Sequence, residues 1–198
     1  RLAAATAHAN VGKGTPALVA VNVVAGSSDE RFQNVESERF DHQRELLENA
    51  HDVAREMDVD LRTRAVVAPE LDRAILDVVT EEDADQLLLG WDGTVGGDAY
   101  TFGHTTDPIL ERAACDVSLV DLETPSVGTP VALVAPGRNA AVVARRAFEF
   151  ATADGTRPTL LHVHPPGIDD ESDPADAGEA VVRDIAASAG LAADEYES

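Results

Sequence analysis

The residues best suited to chemistry are glycines and small polar side chains between positions 87 and 106. Gly90 and Gly93 follow the apolar run Leu87-Leu-Leu, and Gly103-His-Thr-Thr106 begins after nine further residues. Glycine lets the backbone turn tightly and approach a ligand closely. Free N–H groups at the start of a helix attract phosphate. This stretch therefore indicates a phosphate-binding loop.

The elements on either side of this loop would hold it at the edge of a sheet. The sequence predicts a strand over 86–90, a helix over 106–114 and a strand over 117–121. Open α/β sheets bind ligands at the carboxyl ends of their strands, which is where Gly90 falls. The hydroxyl groups of Thr105 and Thr106 can add hydrogen bonds to a phosphate there.

The rest of the chain shows the same alternation of helix and strand. Residues 17–24 form a nearly continuous apolar run, which is typical of a strand buried on both faces of a parallel sheet. Such alternation predicts right-handed crossovers and parallel strands. Further helices are predicted over 2–11, 37–57 and 71–82, and a further strand is predicted over 60–68.

The order of elements starts again after a linker at 124–129. Strands are predicted over 131–135 and 159–163, and helices over 140–153 and 177–189. The segment Pro16-Ala-Leu-Val parallels Pro158-Thr-Leu-Leu, which indicates an internal repeat. We therefore expect one domain over 1–124 and the first half of a second, degenerate one over 125–198.

The spacing Gly-x2-Gly-x9-Gly followed by a polar residue resembles the nucleotide motif of the universal stress proteins. The three leucines before Gly90 and the segment from Ile109 to Val120 resemble the family's flanking strand and its closing helix and strand. The resemblance implies a three-layer parallel α/β sheet with helices on both faces, of the adenine-nucleotide α hydrolase-like kind. The tandem arrangement is similar to domains that haloarchaea attach to amino-acid permeases, so a membrane transporter in the same chain is an expected partner.

The resemblance also implies a ligand and a set of site residues. The ligand would be ATP or AMP, with Mg²⁺ able to accompany ATP. Val23 and Leu89 would border the adenine, and Gly90, Asp92 and Gly93 would flank the ribose and phosphates. The residues that would hold the phosphates are Gly103, His104, Thr105 and Thr106.

Three departures from the family pattern leave two functions open. His104 stands where the family has Ser or Thr, and a neutral imidazole still donates one hydrogen bond. In the family, the first strand ends in an Asp that reads adenine, and that strand is absent before Leu2. In the second repeat, Pro136-Gly137 stands where the family has Asp-Gly. The chain is therefore expected to be either a nucleotide-binding regulatory domain or a nucleotide-free dimerisation and interaction module.

The absent strand lies at the centre of the family's sheet, so its loss would leave two strand edges unpaired. We expect residues 129–135 to fill that place, within the chain or by exchange between chains as a homodimer. The alternative is two partial domains side by side. Because the chain begins with Arg1 and not Met, we also expect it to be a piece of a longer protein.

Composition excludes several other classes of function. The chain has 37 acidic and 15 basic residues, a net charge of −22, which disfavours nucleic acid binding. No run of about 18 apolar residues that would span a membrane is present.

The single cysteine, Cys115, permits no internal disulfide and fits a reducing cytoplasm. His162 and His164 have no third metal ligand at useful spacing. We find no catalytic set and expect neither a metal site nor an enzyme.

The acidic balance, with Lys13 as the single lysine, resembles the surfaces of extremely halophilic, archaeal proteins. We predict that the chain unfolds when salt is dialysed away, because low salt leaves the repulsion between carboxylates unscreened. Thermal melts followed by circular dichroism in molar and in low potassium chloride would measure this. A cooperative melt that is unchanged in low salt would count against salt adaptation.

Overall fold

The computed structural model describes residues 1–10, 17–26, 36–91, 93, 102–121, 127–163 and 174–198, with only the backbone at 8, 36–44 and 174. The helices among them are α1 (Leu2–Ala9), α2 (Glu36–Glu56), α3 (Leu71–Glu81), α4 (Thr106–Arg112), α5 (Ala140–Ala151) and α6 (Pro174–Ser188). The strands are β1 (Leu18–Ala25), β2 (Leu61–Ala68), β3 (Gln86–Gly90), β4 (Asp116–Val120), β5 (Val131–Leu133) and β6 (Thr159–Leu161).

Every helix and strand expected from the sequence is present, with ends that differ by a few residues. The difference at α5 has a local cause. After Ala151 the chain tightens into one 3₁₀ turn, Thr152–Asp154, and Gly155 ends it with a φ of +63°. A left-handed residue of this kind suits glycine and stops a helix.

The six described strands pair in parallel, as the alternating pattern predicted. They form three two-stranded sheets: β1 with β2, β3 with β4, and β5 with β6. The register runs from Leu18 opposite Leu61 to Ala25 opposite Ala68 in the first of them. The described residues therefore carry the expected α/β fold with parallel strands, but they do not join into a single sheet.

The expectation that residues 129–135 fill the place of the absent first strand within the chain is wrong. In the described residues β5 pairs with β6, from Val131 opposite Thr159 to Leu133 opposite Leu161. The physical reason is the core that β5 shares with its own repeat, where Ala132 and Val134 are buried. Moving β5 elsewhere would expose that core. Exchange between chains stays a hypothesis.

The chain divides into two compact units. The terminal unit contains the described residues within 1–16 and 124–198, and the central unit contains those within 17–123. Helix α1 packs on α5 and therefore groups with the second repeat. The division into sequence domains at 1–124 and 125–198 stays a prediction. The core of the terminal unit consists of Ala132, Val134, Ala144, Ala147, Leu160, Val182, Ile185, Ala186 and Leu191.

A buried carboxylate ties α1 to α5 in the terminal unit. Glu149 is 1% exposed. Its Oε1 accepts hydrogen bonds from Asn10 Nδ2 at 2.9 Å and from Arg145 Nε at 3.1 Å. Arg146 Nη1 pairs with the other oxygen. A buried charge is tolerated when it is paired and hydrogen-bonded, so these contacts fix the end of α1.

The central unit covers its first strand pair with helices. Both α2 and α3 pack against β1 and β2, and α3 also packs against α4. The buried side chains here are Ala54, Ala74, Val78, Val79 and Ile109. None of the helices in the described residues is long and apolar enough to cross a bilayer.

An exposed group of ion pairs joins β2 to the end of α3. Arg62 Nη2 lies 2.6 Å from Glu82 Oε2, and Arg64 Nη1 lies 3.0 Å from Glu82 Oε1. The hydrogen bonds from Arg62 and then Arg64 hold the pKa of Glu82 below its ordinary value. Any stability that this carboxylate adds is present above its unfolded pKa and is lost as the pH falls through its folded pKa.

We predict that Glu149→Leu lowers the free energy of unfolding by about 3–5 kcal/mol, because two guanidinium groups would remain partly buried without their shared carboxylate. Chemical denaturation in molar salt would measure the loss. The matched control is Glu179→Leu, which removes an exposed partner of Arg183 at 3.9 Å and should cost less than about 1 kcal/mol. Equal, small losses in both variants would show that the buried cluster does not hold α1.

Candidate functional site

The glycine loop begins where β3 ends, beside the end of β4. Gly90 lies opposite Val120, and the N–H of Trp91 donates a hydrogen bond to the Val120 carbonyl oxygen at 2.9 Å. The β3–β4 ladder therefore continues one residue past the strand. Gly90 is exposed, and a Cβ atom added to it would meet no heavy atom of the described residues within 4 Å. Its backbone is open to an approaching molecule.

Two glycines of the loop adopt conformations that other residues avoid. Gly93 has a φ of +75° and Gly103 a φ of +105°. A Cβ atom at Gly93 would lie 3.1 Å from Asp121 Oδ2, whereas one at Gly103 would meet nothing within 4 Å. Both positions therefore favour glycine because of their backbone conformation, and at Gly93 a side chain would also crowd Asp121. The sequence pattern gave no signal for the neighbouring Asp121.

An aromatic pair joins the two ends of the loop. The rings of Trp91 and Phe102 meet edge to face, with centroids 5.5 Å apart and an interplanar angle of 73°. The N–H of Phe102 donates to Asp107 Oδ1 at 2.7 Å. The indole ring of Trp91 thus packs on the ring of Phe102. The pair keeps β3 and the start of α4 together.

The predicted phosphate-holding residues lie together at the start of α4. His104 is exposed, and Thr105 and Thr106 are half-buried. Thr105 is the N-cap of α4, and its hydroxyl makes no capping hydrogen bond. The N–H of Asp107 bonds back to the Gly103 carbonyl oxygen at 3.1 Å. Gly103, His104, Thr105 and Thr106 are consecutive and lie at the start of α4, and their role in holding phosphate stays a prediction.

The charges around the loop are negative. Asp121 lies beside Gly93, and Asp107 accepts the Phe102 N–H. The nearest basic residue along α4, Arg112, forms an ion pair with Asp72. A bare phosphate would be repelled by the two carboxylates, so an anion bound here needs a cation that offsets them.

The two residues expected to border an adenine lie on different sheets. Leu89 is half-buried on β3, opposite Leu119 of β4. Val23 is half-buried on β1, opposite Val66 of β2. Strand pairing in the described residues does not place Val23 beside Leu89. The remaining predicted residue, Asp92, lies outside the residues that the structure describes.

A cavity of about 420 Å³ lies in the terminal unit, where β5 leads into α5. Its lining residues are Leu133, Val134, Ala135, Gly137, Arg138, Asn139, Ala140 and Val143.

The histidine after β6 contacts the backbone that follows β5. His162 Nδ1 lies 2.9 Å from the Val134 carbonyl oxygen. His164 is outside the described residues, among which no group of three His, Cys, Asp or Glu could hold a metal.

The thiol of Cys115 sits just before β4. Burial raises the pKa of this thiol above its ordinary value, and the carboxylate of Asp116 raises it further. A thiol of raised pKa is protonated at neutral pH and is a poor nucleophile. The half-buried Cys115 therefore lacks the environment of a reactive thiolate.

Comparison with known proteins identifies the fold. The family model of the universal stress protein family matches residues 1–121. A solved universal stress protein from Archaeoglobus fulgidus superposes with a TM-score of 0.54 at 14% identity, covering 96% of this chain and 68% of that one. A protein of unknown function from Pseudomonas aeruginosa gives 0.50 at 14% identity, covering 90% and 72%. At such identity these two structures support the fold alone.

A transporter is among the similar sequences. The Na(+)/H(+) antiporter NhaS5 of Synechocystis is 30% identical over 128 residues. The match covers 61% of this chain and 18% of the antiporter, so the chain spans less than a fifth of that relative's length.

We predict that Cys115 reacts with iodoacetamide more slowly than a free cysteine at pH 8, because less of it is thiolate. The midpoint of the rate's pH dependence should lie above that of an ordinary thiol, which titrates at about pH 8.5. Rates measured by mass spectrometry in molar salt, with a short blocked cysteine peptide as the reference, test this. A plateau below pH 8 would contradict the assigned environment.

Proposed function

The chain belongs to the universal stress protein family, and we propose that it is a nucleotide-binding regulatory domain that works in the cytoplasm beside a membrane transporter. The observation that carries the proposal is the open backbone of the glycine loop. Gly90 and Gly103 have free space where a side chain would stand, and Gly93 and Gly103 hold left-handed turns. Such a loop can take a phosphate chain against main-chain N–H groups.

ATP with Mg²⁺ is the ligand that the charges favour. The carboxylates of Asp107 and Asp121 flank the loop, and a divalent cation would offset them while it bridges phosphate oxygens. The exposed imidazole of His104 could donate one hydrogen bond, as could the hydroxyl of Thr105. AMP, which holds Mg²⁺ weakly, would bind less tightly under the same repulsion.

The family and the antiporter similarity support the proposed regulatory role beside a transporter. The match to the antiporter spans a small part of that protein, as expected of one domain within a larger chain. Bound nucleotide would change how the domain contacts its membrane partner, and an amino-acid permease is the transporter that the tandem pattern favours. The acidic surface would suit a halophilic, archaeal cytoplasm.

A nucleotide-free interaction module of the same fold is the second candidate. Two observations favour it. The carboxylates of Asp121 and Asp107 lie beside the glycine loop and would repel a phosphate. The three separate strand pairs leave strand edges unpaired in the described residues. Unpaired edges promote association by strand addition, so this module would form a homodimer or exchange strands. In both candidates the chain binds and does not catalyse, and ATP incubated with pure protein should show no hydrolysis above that of a Gly103→Val control.

Isothermal titration calorimetry in molar potassium chloride, with ATP, ADP and AMP and with or without Mg²⁺, tests the proposal. We expect ATP to bind with Mg²⁺ present and at least about tenfold more weakly with EDTA, a difference of about 1.4 kcal/mol. Gly90→Ala should lower the affinity by a similar factor, because its methyl group meets the ligand and no protein atom.

The matched control is Gly178→Ala in α6, which also has free space at its Cβ position and should leave binding unchanged. Gly103→Val should abolish binding, because a β-branched residue cannot hold a φ of +105°. Heat signals that are absent for all three nucleotides in the folded wild-type protein would favour the interaction module instead.

A further inference from the structure

A chain of contacts connects the end of β4 with Gly103. The Trp91 N–H donates to the Val120 carbonyl oxygen at 2.9 Å. The ring of Trp91 meets the ring of Phe102 edge to face, with centroids 5.5 Å apart. The Phe102 N–H donates to Asp107 Oδ1 at 2.7 Å, and the Asp107 N–H donates to the Gly103 carbonyl oxygen at 3.1 Å. The three residues Trp91, Phe102 and Asp107, which we call the clasp, therefore join the two ends of the glycine loop.

The clasp lies at the surface, so core packing alone does not account for it. Phe102 is 38% exposed, and Trp91 is half-buried. A ring that stays in contact with water gains less from burial than a ring in the core, but an edge-to-face pair is directional and fixes two side chains relative to each other. The hydrogen bond from Phe102 to Asp107 fixes the backbone just before Gly103 in the same way. The clasp therefore contributes more to geometry than to buried area.

We propose that the residues of the clasp are positioning residues for a bound phosphate chain, an inference that rests on the proposed nucleotide binding. Gly90 immediately precedes Trp91, and Gly103 immediately follows Phe102. Holding the two rings together therefore holds the exposed Gly90 backbone and the left-handed turn at Gly103 at one separation. A ligand that contacts both glycines gains affinity when this separation is set before it binds, because binding then orders less of the protein.

The positioning role of Asp107 does not need its negative charge. Asp107 Oδ1 accepts the Phe102 N–H, and the side-chain carbonyl oxygen of an asparagine can accept the same hydrogen bond. The charge of Asp107 has a separate effect, because together with the exposed Asp121 beside Gly93 it repels phosphate unless a cation is bound. Substitutions at Asp107 can therefore separate the shape of the site from its need for a cation.

Calorimetry with ATP in molar potassium chloride compares Asp107→Ala with Asp107→Asn. Both variants lack the charge, so the difference between them isolates the hydrogen bond to Phe102. We expect Asp107→Ala to bind ATP with Mg²⁺ about tenfold more weakly than Asp107→Asn. In EDTA, Asp107→Asn should bind ATP more tightly than the wild type, because one carboxylate no longer repels the phosphates. Amide exchange at Phe102, measured by NMR without nucleotide, should be fast in Asp107→Ala and slow in Asp107→Asn.

The ring pair is tested at Phe102. Phe102→Ala removes the contact with Trp91 and should weaken binding of ATP with Mg²⁺ by about tenfold, whereas Phe102→Tyr keeps the ring and should restore wild-type affinity. Trp91 is the single tryptophan, so its fluorescence emission reports the contact without nucleotide and should change in Phe102→Ala. The matched control is Leu110→Ala on α4, where the leucine is also 38% exposed, and both emission and affinity should stay unchanged there.

Two results would overturn the positioning role alone. Asp107→Ala and Asp107→Asn could bind ATP equally well, which would show that Asp107 acts through its charge. Phe102→Ala could bind as tightly as Leu110→Ala, which would show that the ring pair does not set the separation of the glycines. A folded wild type that binds none of the three nucleotides is a different result, because it would remove the proposed function and the positioning role together.

Discussion

Parallel strands are stable only when neighbours cover both their edges and their faces, and this constraint governs the whole molecule. Where the chain meets the constraint, it forms a firm core. In the terminal unit, α5 and α6 bury one face of β5 and β6, and the Glu149 cluster attaches α1 to α5. Where the chain does not meet it, apolar side chains and backbone groups remain available. Among the described residues, the exposed side chains of Val131, Leu133, Leu161 and Val163 and the unpaired edges of β1 and β3 are such places.

Local structure could be predicted closely because it depends on neighbouring residues. Apolar runs such as 17–24 identify buried strands, and the structure has β1 at Leu18–Ala25. Long-range packing could not be predicted in the same way. The hydrogen bond between Asn10 and Glu149 joins residues 139 positions apart, and nothing in the pattern near Glu149 marks it as buried. The pairing of residues 129–135 was mispredicted because the repeat pattern shows where a strand occurs but not which neighbour it pairs with.

In the candidate site, too, the local backbone could be predicted from the sequence and the long-range contacts could not. The glycine spacing predicted a tight turn at Gly90 and Gly93, and Gly93 has a left-handed φ, as does Gly103. It could not predict the charges that the fold brings there, because Asp121 lies 28 residues after Gly93 and reaches it through the pairing of β3 with β4. Under the proposed function, these carboxylates favour an adenine nucleotide that carries a divalent cation over a bare one. The chain belongs to the universal stress protein family, and its similarity to an antiporter motivates the proposal of a membrane partner.

In the part of the chain that the structure describes, β1 and β3 each have one paired and one unpaired edge. Successive N–H groups of a strand point to opposite edges, so only alternate residues lack a partner strand. Amide hydrogen exchange of the full chain in molar salt, resolved by NMR over Leu18–Ala25 and Gln86–Gly90, tests this arrangement most directly. We expect slow exchange at every second amide of each strand and fast exchange at the amides between them. Uniformly slow exchange along both strands would show a continuous sheet and rule out the unpaired edges.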